Sequence, residues 1–353
     1  MTSLAREGFT IDHVGRFVRD SLLNERLTLP IALLAFFLCL DLSESYRDTL
    51  ANAASWMGGR LDVERIAKAG RIALYLGLVG ALISLGKMFV KWTANNREAT
   101  NPGDWDWEKR EIVLVTGGSA GLGASVAQKL LARNPLITIV VLDIAPLGWV
   151  PPEGSKVHYY QVDLGNSSDT QFVCDRVKRE VGHPTVLISN ACLAHSFAIM
   201  ESSYDDIIRT IATNLTSTFL LVNEFVPEMT RNNHGHIITV SSMGDHIRGV
   251  DSADYYAANV GISELHEALR MELTYSHDAP KVRLTKAKFN LLRSPLVKDE
   301  SGIANFFSPR LHLETASQSI VDVIFSGYGK TIVLPGSMRY SSTLVRDFSS
   351  SGL

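Results

Sequence analysis

Two different hydrophobic patterns divide the chain near residue 105. After that point, short runs rich in β-branched residues alternate with amphipathic stretches of helical length. The predicted strands are residues 111–117, 137–143, 156–163, 185–191, 235–242, 281–289 and 331–336. The predicted helices lie near residues 122–133, 168–182, 203–230, 254–276 and 315–326. This alternation predicts an α/β fold, a doubly wound parallel sheet with helices on both faces.

The first 105 residues carry a different pattern, in which two apolar stretches lie among charged residues. Residues 27–40 form the shorter stretch, which falls below the roughly 20 residues that a membrane-spanning helix needs. In the longer stretch, residues 72–90, the one charge is Lys87, and Trp92 and basic residues follow it. These features predict a helical, membrane-associated region over residues 1–105. The alternative is that both stretches are buried helices packed on the main domain.

The composition narrows the choice of partners. The chain has 353 residues, a net charge of -3 and no long basic run, so we expect no binding to nucleic acid. Hydrophobic residues make up 46% of the chain, which is typical of a globular protein. Cys39, Cys174 and Cys192 fit no disulfide or metal-ligand spacing. We therefore predict reduced thiols and no metal site.

A glycine-rich segment, TGGSAGLG at residues 116–123, directly follows the first predicted strand. Glycines at this place allow a tight turn and close approach of the backbone to a ligand, and the next helix points its N-terminus at a pyrophosphate. The residues of this loop predicted to bind a dinucleotide are Gly117, Ser119, Gly121, Leu122 and Gly123. The alternative is an ordinary glycine-rich turn.

An acidic residue ends the second predicted strand. Asp143 stands 20 positions after Gly123, where a carboxylate binds both ribose hydroxyls of NAD and repels the 2′-phosphate of NADP. The glycine loop and Asp143 together predict a Rossmann-type dinucleotide site with NAD as the cofactor and NADP less favoured. The alternative is that Asp143 is a solvated strand-end residue.

At these residues the chain resembles the short-chain dehydrogenase/reductase family, because T-G-x-x-x-G-x-G is that family's form of the loop. The resemblance runs from about residue 111 to 336 and is greatest to membrane-anchored, fungal-type members that act on lipophilic alcohols and ketones. It implies that residues 106–340 form the dinucleotide-binding domain. The serine-rich residues 341–353 are predicted to be a flexible tail. The resemblance also implies a homodimer, because the family often dimerises through the helix that bears the residue at the position of Tyr255.

The resemblance assigns roles to three further residues. Asp163 matches the aspartate that meets the adenine amino group. Asn190 matches the asparagine that steadies the sheet and lines the cofactor cleft, although it is also compatible with a plain turn residue. Asn214 matches a mid-helix asparagine that holds a water in a proton relay. Asparagine is unfavourable inside a helix, which supports a specific role for Asn214.

A serine and a tyrosine supply the candidate chemistry. Ser242 ends the fifth predicted strand, and Tyr255 follows 13 residues later at the start of a helix, in DYYAANVG. This is the family's spacing. A phenol exchanges a proton with the substrate oxygen while hydride moves, and the serine hydroxyl orients that oxygen. If Tyr256 were the acid, its partner one helical turn later would be Val260, which has no chemistry, so Tyr255 is preferred.

The residue one turn after Tyr255 departs from the family pattern. Asn259 stands where the family has a lysine that lowers the pKa of the tyrosine. Its amide keeps hydrogen bonding but supplies no charge. A charge lost about 4 to 6 Å away removes a few kcal/mol, enough to change the rate by orders of magnitude. We identify Ser242, Tyr255, Asn259 and Asn214 as the catalytic set.

Two more departures lie near the expected nicotinamide end. Cys192 replaces a glycine of the family's N-N-A-G segment, and Phe289-Asn290 replaces the usual Pro-Gly after the sixth strand. Both changes add side-chain bulk where glycine would allow close approach. Lys288, near the end of the sixth strand, is an alternative source of the missing charge. Otherwise it is a solvent-facing lysine.

These residues lead to two hypotheses from different classes. The first is an NAD-dependent oxidoreductase that interconverts a hydroxyl and a keto group on a lipophilic substrate of sterol, retinoid, terpenoid or polyketide type. It is anchored in the endoplasmic reticulum with the catalytic domain facing the cytosol. The second is a catalytically impaired relative that binds dinucleotide and acts as a scaffold or redox-sensitive partner.

Overall fold

The computed structural model describes residues 7, 10–24, 30, 63–99, 104–195, 197–243, 250–293 and 309–338. The chain divides into two compact units, one of Ile11–Val90 and one of Met1–Thr10 with Lys91–Leu353. The predicted apolar stretch at residues 27–40, apart from Pro30, and the predicted tail at residues 341–353 lie outside the described residues.

The larger unit contains a parallel sheet. Within the described residues its strands are β1 Ile112–Thr116, β2 Thr138–Asp143, β3 Lys156–Gln161, β4 Val186–Ser189, β5 Gly235–Ser242, β6 Val282–Phe289 and β7 Thr331–Leu334. The helices that follow the first strand are α3 Gly121–Arg133, α4 Ser167–Glu180, α5 Tyr204–Ile211, α6 Ser217–Arg231, α7 Ala253–Met271 and α8 Leu313–Ser326. All of the predicted strands are present, with ends that differ by up to two residues.

The strands are ordered β3-β2-β1-β4-β5-β6-β7, and every neighbouring pair is parallel. The order reverses between β1 and β4, which is the switch point where doubly wound folds bind ligands. Because the strands are parallel, the last residues of β2 and β5, Asp143 and Ser242, lie along the same edge of the sheet, the edge formed by the carboxyl ends of the strands. The predicted Rossmann-type α/β fold is confirmed.

Alternation along the strands builds a core on each face of the sheet. Val113 and Val115 of β1 pack in one core with residues of α3 and α8. Leu114, between them, packs in the other core with residues of α4, α6 and α7. Strands covered on both faces have nearly continuous apolar sequences, which explains the runs of valine and isoleucine.

In the described part of the chain before β1, the regular elements are helical. They are α1 Ile11–Phe17, a π-helical segment Val18–Leu22, and α2 Val63–Ala94. Among the described residues, one stretch is long and apolar enough to cross a membrane, Tyr75–Ala94, with 20 residues and a mean hydropathy of 1.3. Its exposed side chains include Leu82, Met88 and Phe89. The helix predicted over residues 72–90 is therefore present within α2.

A buried asparagine fixes the chain just after α2. Asn95 donates from Nδ2 to the carbonyl oxygen of Gly329 at 3.0 Å and accepts the Gly329 amide at 2.7 Å. Arg283 donates to the carbonyl oxygen of Asn95 at 2.9 Å. Gly329 precedes β7, and Arg283 lies near the start of β6. The hydrogen bonds of Asn95 are therefore at the amino ends of the strands, whereas Asp143 and Ser242 lie at the carboxyl ends.

Two helical predictions needed refinement. The predicted helix at residues 203–230 is α5 and α6 joined by a π-helical segment, Ala212–Thr216. The predicted helix at residues 254–276 is α7 followed by a second π-helical segment, Glu272–Ser276. Single π-helical turns leave the average spacing of apolar residues almost unchanged, so hydrophobic periodicity does not reveal them.

Candidate active site

A cleft of about 440 Å³ opens between β1 and β4, where the order of the strands reverses. The predicted site residues on its wall are Gly117, Gly121, Leu122, Asp143, Asp163 and Asn190. The helix α3 begins at this cleft, and its N-cap residue, Ala120, makes no side-chain capping bond. Such a helix N-terminus offers backbone N–H groups to an anion. The cleft therefore has the groups that a dinucleotide requires.

A side chain would collide with backbone atoms at Gly117, in the turn after β1, and at Gly123, in the first turn of α3. Gly117 has a φ of +64°, and a Cβ on it would lie 2.9 Å from the Cα of Ala191. A Cβ on Gly123 would lie 2.2 Å from the carbonyl oxygen of Gly117. Asn190 donates from Nδ2 to the carbonyl oxygens of Thr116 and Gly117, at 3.0 and 3.2 Å. Asn190 thus ties the turn to the end of β4.

The Asp143 carboxylate is held in place by backbone amides. Its Oδ2 accepts from the amide of Ser119 at 2.8 Å, and its Oδ1 accepts from the amide of Ala145 at 3.0 Å. The hydroxyl of Ser119 donates to the carbonyl oxygen of Ala145 at 2.9 Å. Trp149 adds a bond from Nε1 to the carbonyl oxygen of Gly118 at 2.9 Å. The loop after β2 is therefore fastened to the glycine turn.

Asp163 lies on the same wall, after β3. Its Oδ1 accepts from the amide of Gly165 at 2.9 Å. Arg209 and Thr213 complete this side of the cleft, and neither was predicted from the sequence. Among the described residues that line the cleft, Arg209 is the one cation. The sequence around Arg209 is that of an ordinary amphipathic helix and does not indicate a binding role, because the approach of Arg209 to the cleft depends on how α5 packs.

Tyr255, in the first turn of α7, lies next to Ser242, the last residue of β5. The side chains of Ser242 and Asn259 both hydrogen-bond the Tyr255 phenol. Burial raises the pKa of Tyr255 above its usual 10.0, and nearby Cys192 adds to this increase. The hydrogen bonds from Ser242 and Asn259 lower the pKa without cancelling the increase. The phenol is consequently protonated at neutral pH.

Asn259 is 5% exposed and forms three further hydrogen bonds. Its Nδ2 donates to the carbonyl oxygen of Tyr255 at 2.9 Å. Its Oδ1 accepts from the amide of Ser242 at 2.9 Å and from the hydroxyl of Ser241 at 3.1 Å. The side chain therefore connects the first turns of α7 with the last residues of β5. Ser241 was not singled out from the sequence, although alternation places it on the face opposite Ser242.

Asn214 lies in the π-helical segment between α5 and α6 and is 3% exposed. Its Oδ1 accepts from the amide of Leu193 and its Nδ2 donates to the carbonyl oxygen of Leu193, both at 2.7 Å. These bonds hold the segment after β4 that carries Cys192. A π-helical turn is common at functional sites because it displaces one side chain from the regular helical spacing.

The residues that depart from the family pattern occupy different surroundings. Cys192 is exposed and lines the cleft. Phe289 is 3% exposed and belongs to the hydrophobic core, so its bulk is absorbed by packing. Lys288 is 6% exposed, which excludes the solvent-facing alternative. Burial, then Lys286, and to a smaller extent Lys288, lower the pKa of His266 to about 4.

Comparisons with known proteins agree with this architecture. The family profile described as short chain dehydrogenase matches residues 111–298. Dehydrogenase RED2 of Cochliobolus heterostrophus is 31% identical over 252 residues, which cover 70% of this chain and 93% of that protein. Estradiol 17-beta-dehydrogenase 11 of Homo sapiens is 28% identical over 242 residues, which cover 67% of this chain and 78% of that protein.

A solved structure shows the same fold. The structure of 4-hydroxyisoleucine dehydrogenase complexed with NADH has a TM-score of 0.56 and 17% identity, and the match covers 64% of this chain and 97% of that one. The profile match extends over more than half of the chain. The chain therefore belongs to the short-chain dehydrogenase/reductase family, whose members are NAD(P)-binding oxidoreductases.

Proposed function

We propose that this protein is an NAD-dependent oxidoreductase that interconverts a hydroxyl and a keto group on a lipophilic substrate. The observation that carries the proposal is the hydrogen-bonded pair of Tyr255 and Ser242 beside a cleft suited to a dinucleotide. A phenol and a hydroxyl in this arrangement supply the proton and the orientation that carbonyl reduction requires.

The residues of the cleft favour NAD. Asp143 presents a fixed carboxylate at the end of β2, where it would accept hydrogen bonds from the ribose hydroxyls and repel a 2′-phosphate. Gly117, Ser119, Gly121, Leu122 and Gly123 would surround the pyrophosphate, Asp163 would meet the adenine, and Asn190 would maintain the turn. When bound, the nicotinamide supplies or accepts the hydride.

Tyr255 would act as the proton donor and acceptor. In reduction its phenol gives a proton to the oxygen of the substrate, and in oxidation the phenolate takes that proton back. Ser242 would donate a hydrogen bond to the same oxygen and so favour the charge that develops there. Asn214 would hold the wall of the site that carries Cys192, through its two bonds to Leu193.

The long apolar helix α2 supports a membrane location and a lipophilic substrate. Tyr75–Ala94 is long enough to span a bilayer, and its large apolar side chains are exposed. The name of one relative, estradiol 17-beta-dehydrogenase 11, refers to a steroid. We place the protein in the endoplasmic reticulum membrane with its catalytic domain in the cytosol, and we propose a homodimer that pairs through α7.

The test is turnover by the full chain in detergent or lipid nanodiscs. NADH oxidation is followed with a panel of sterol, retinoid and terpenoid ketones, for the wild type and for Tyr255→Phe. The neighbouring Tyr256→Phe is the matched control, since it removes a hydroxyl from the same helix. The proposal requires turnover that Tyr255→Phe abolishes and Tyr256→Phe retains. A wild type that binds NADH and turns over no ketone would support the scaffold alternative instead.

A further inference from the structure

We propose that Asn259 is a positioning residue that acts as a hydrogen-bond acceptor for the end of β5, and that a lysine at this position would impair the site. The inference rests on the proposed function. It reverses the expectation drawn from the family pattern, in which a lysine at residue 259 would restore a missing charge.

The side-chain hydrogen bonds of Asn259 connect α7 to the end of β5. Its Oδ1 receives two donors, the amide of Ser242 and the hydroxyl of Ser241. Its Nδ2 donates to the carbonyl oxygen of Tyr255. One side chain thus fixes the backbone of Ser242 relative to the backbone of Tyr255, and both residues must meet the same substrate oxygen. An error of about 1 Å in such an arrangement costs roughly a hundredfold in rate.

A lysine cannot perform this task. The ammonium group has three donors and no acceptor. In its presence the Ser242 amide would lose its partner in a place where water is scarce, because Asn259 and Ser241 are 5% and 6% exposed. A buried N–H without a partner is destabilising, and the strand end would shift to find another acceptor.

The charges around Asn259 also disfavour another cation at this position. Lys288 stands opposite Ser241 in the register of β5 with β6 and is 6% exposed. Parallel strands present register partners on the same face, so Lys288 lies on the α7 side of the sheet with Ser241. A lysine at residue 259 would add a further positive charge to a buried face that already holds Lys288 and Lys286, which is unfavourable in a medium of low dielectric constant.

The experiment compares Asn259→Lys with Asn259→Asp, because the two variants separate charge from acceptor capacity. Aspartate keeps two acceptor oxygens for Ser241 and Ser242, whereas lysine keeps none. The measurements are kcat, KM for ketone and the melting temperature of the full chain. Ser263→Ala, another buried polar residue of α7, is the control for a general perturbation of the helix.

The proposal predicts that kcat falls in the order wild type, Asn259→Asp, Asn259→Lys, with at least a tenfold loss in the lysine variant and a KM within threefold. Ser263→Ala stays within threefold of the wild type. An Asn259→Lys variant with equal or higher kcat than the wild type would overturn the proposal. If only the charge mattered, the lysine variant would be fastest, the wild type intermediate and the aspartate variant slowest.

Two further outcomes keep the test decisive. If the wild type turns over no ketone, the proposed function fails, and the melting temperatures still test the acceptor role: they must decrease from wild type to Asn259→Asp to Asn259→Lys. If Asn259→Lys does not fold, Asn259→Leu replaces it, since leucine has a similar shape without an acceptor. A leucine variant as stable as the aspartate variant would contradict the proposal.

Discussion

The side-chain oxygen of Asn259 lies 2.9 Å from the backbone nitrogen of Ser242, and this hydrogen bond joins the helix that carries Tyr255 to the strand that carries Ser242. The asparagine therefore does more than leave a position without charge. With this uncharged side chain beside it, the Tyr255 phenol keeps a pKa above its usual value; burial is the main cause, and the Asn259 side chain offsets only part of the increase.

The first prediction concerns pH. Because the pKa of Tyr255 is raised above 10.0, the phenol remains the proton donor from pH 7 to 10. We expect kcat/KM for ketone reduction to be flat over this range. Alcohol oxidation needs the phenolate, so its kcat/KM should rise about tenfold per pH unit. Pre-steady-state rates in both directions measure these profiles. A plateau of the oxidation rate near neutral pH would show that a cation lowers the pKa.

Asp143 should decide which dinucleotide binds. Removing the carboxylate in Asp143→Ala deletes hydrogen bonds to a charged group, worth roughly 1.5–3 kcal/mol each, and ends the repulsion of a 2′-phosphate. We expect the Kd for NADH to increase by roughly tenfold or more, with little change for NADPH. Fluorescence titration measures both values. Asp143→Asn is the matched control for shape, because its amide oxygen can still accept from Ser119.

That prediction fails if Asp143→Ala weakens both dinucleotides equally. Such a result would mean that Asp143 acts only through its bonds to Ser119 and Ala145, which fasten the loop after β2.

Gly123 should be intolerant of any side chain. A Cβ there would lie 2.2 Å from the carbonyl oxygen of Gly117 and 2.7 Å from Nδ2 of Asn190. We expect Gly123→Ala to lower the melting temperature and to abolish NADH binding, as measured by calorimetry. In Gly86→Ala a Cβ meets no atom within 4 Å, so this helical control should melt no lower than the wild type. Normal binding by Gly123→Ala would show that the turn rearranges.

Two buried histidines should make the fold sensitive to acid. The pKa of His236 is lowered to about 3, mainly by burial and then by Arg283, and the pKa of His266 is lowered to about 4. Both are neutral in the folded protein, whereas an unfolded histidine takes up a proton near pH 6.5. Their contribution is complete above pH 6.5 and is lost as the pH falls toward 4. Each should reduce the free energy of unfolding by roughly 1.4 kcal/mol per pH unit.

Urea unfolding at pH 7.5, 6.0 and 5.0 checks this dependence. His266→Gln should make the decrease shallower, because one of the two histidines no longer contributes. His277, which is exposed, supplies the control: His277→Gln should leave the slope unchanged. Equal stability at pH 7.5 and 5.0 would contradict the account of both histidines.

The order of strands and helices could be predicted from the sequence because the strands are buried on both faces. Val113, Leu114 and Val115 form an unbroken apolar run for that reason. The glycine turn was also predictable, since only glycine fits at residues 117 and 123. The acceptor role of Asn259 was not, because it depends on the approach of α7 to β5, which no local pattern encodes.

The positions of the Phe289 and Lys288 side chains also could not be predicted from the sequence. The sequence places both near the end of β6 but does not say which face of the sheet receives which side chain. In the structure, Phe289 belongs to the core on the α3 and α8 side. Lys288, one residue earlier, is buried on the opposite face, where it influences His266. The bulk of Phe289 was therefore a poor guide to the space available for a cofactor.

Direct hydride transfer tests whether a site with asparagine in place of lysine is a working oxidoreductase. The full chain is incubated with NADH that carries deuterium at both C4 positions and with a lipophilic ketone, and the alcohol formed is analysed by mass spectrometry. We predict one deuterium in the alcohol from the wild type and none above background from Tyr255→Phe. A wild type that binds NADH and transfers no deuterium to any ketone of the panel would contradict the proposed oxidoreductase function.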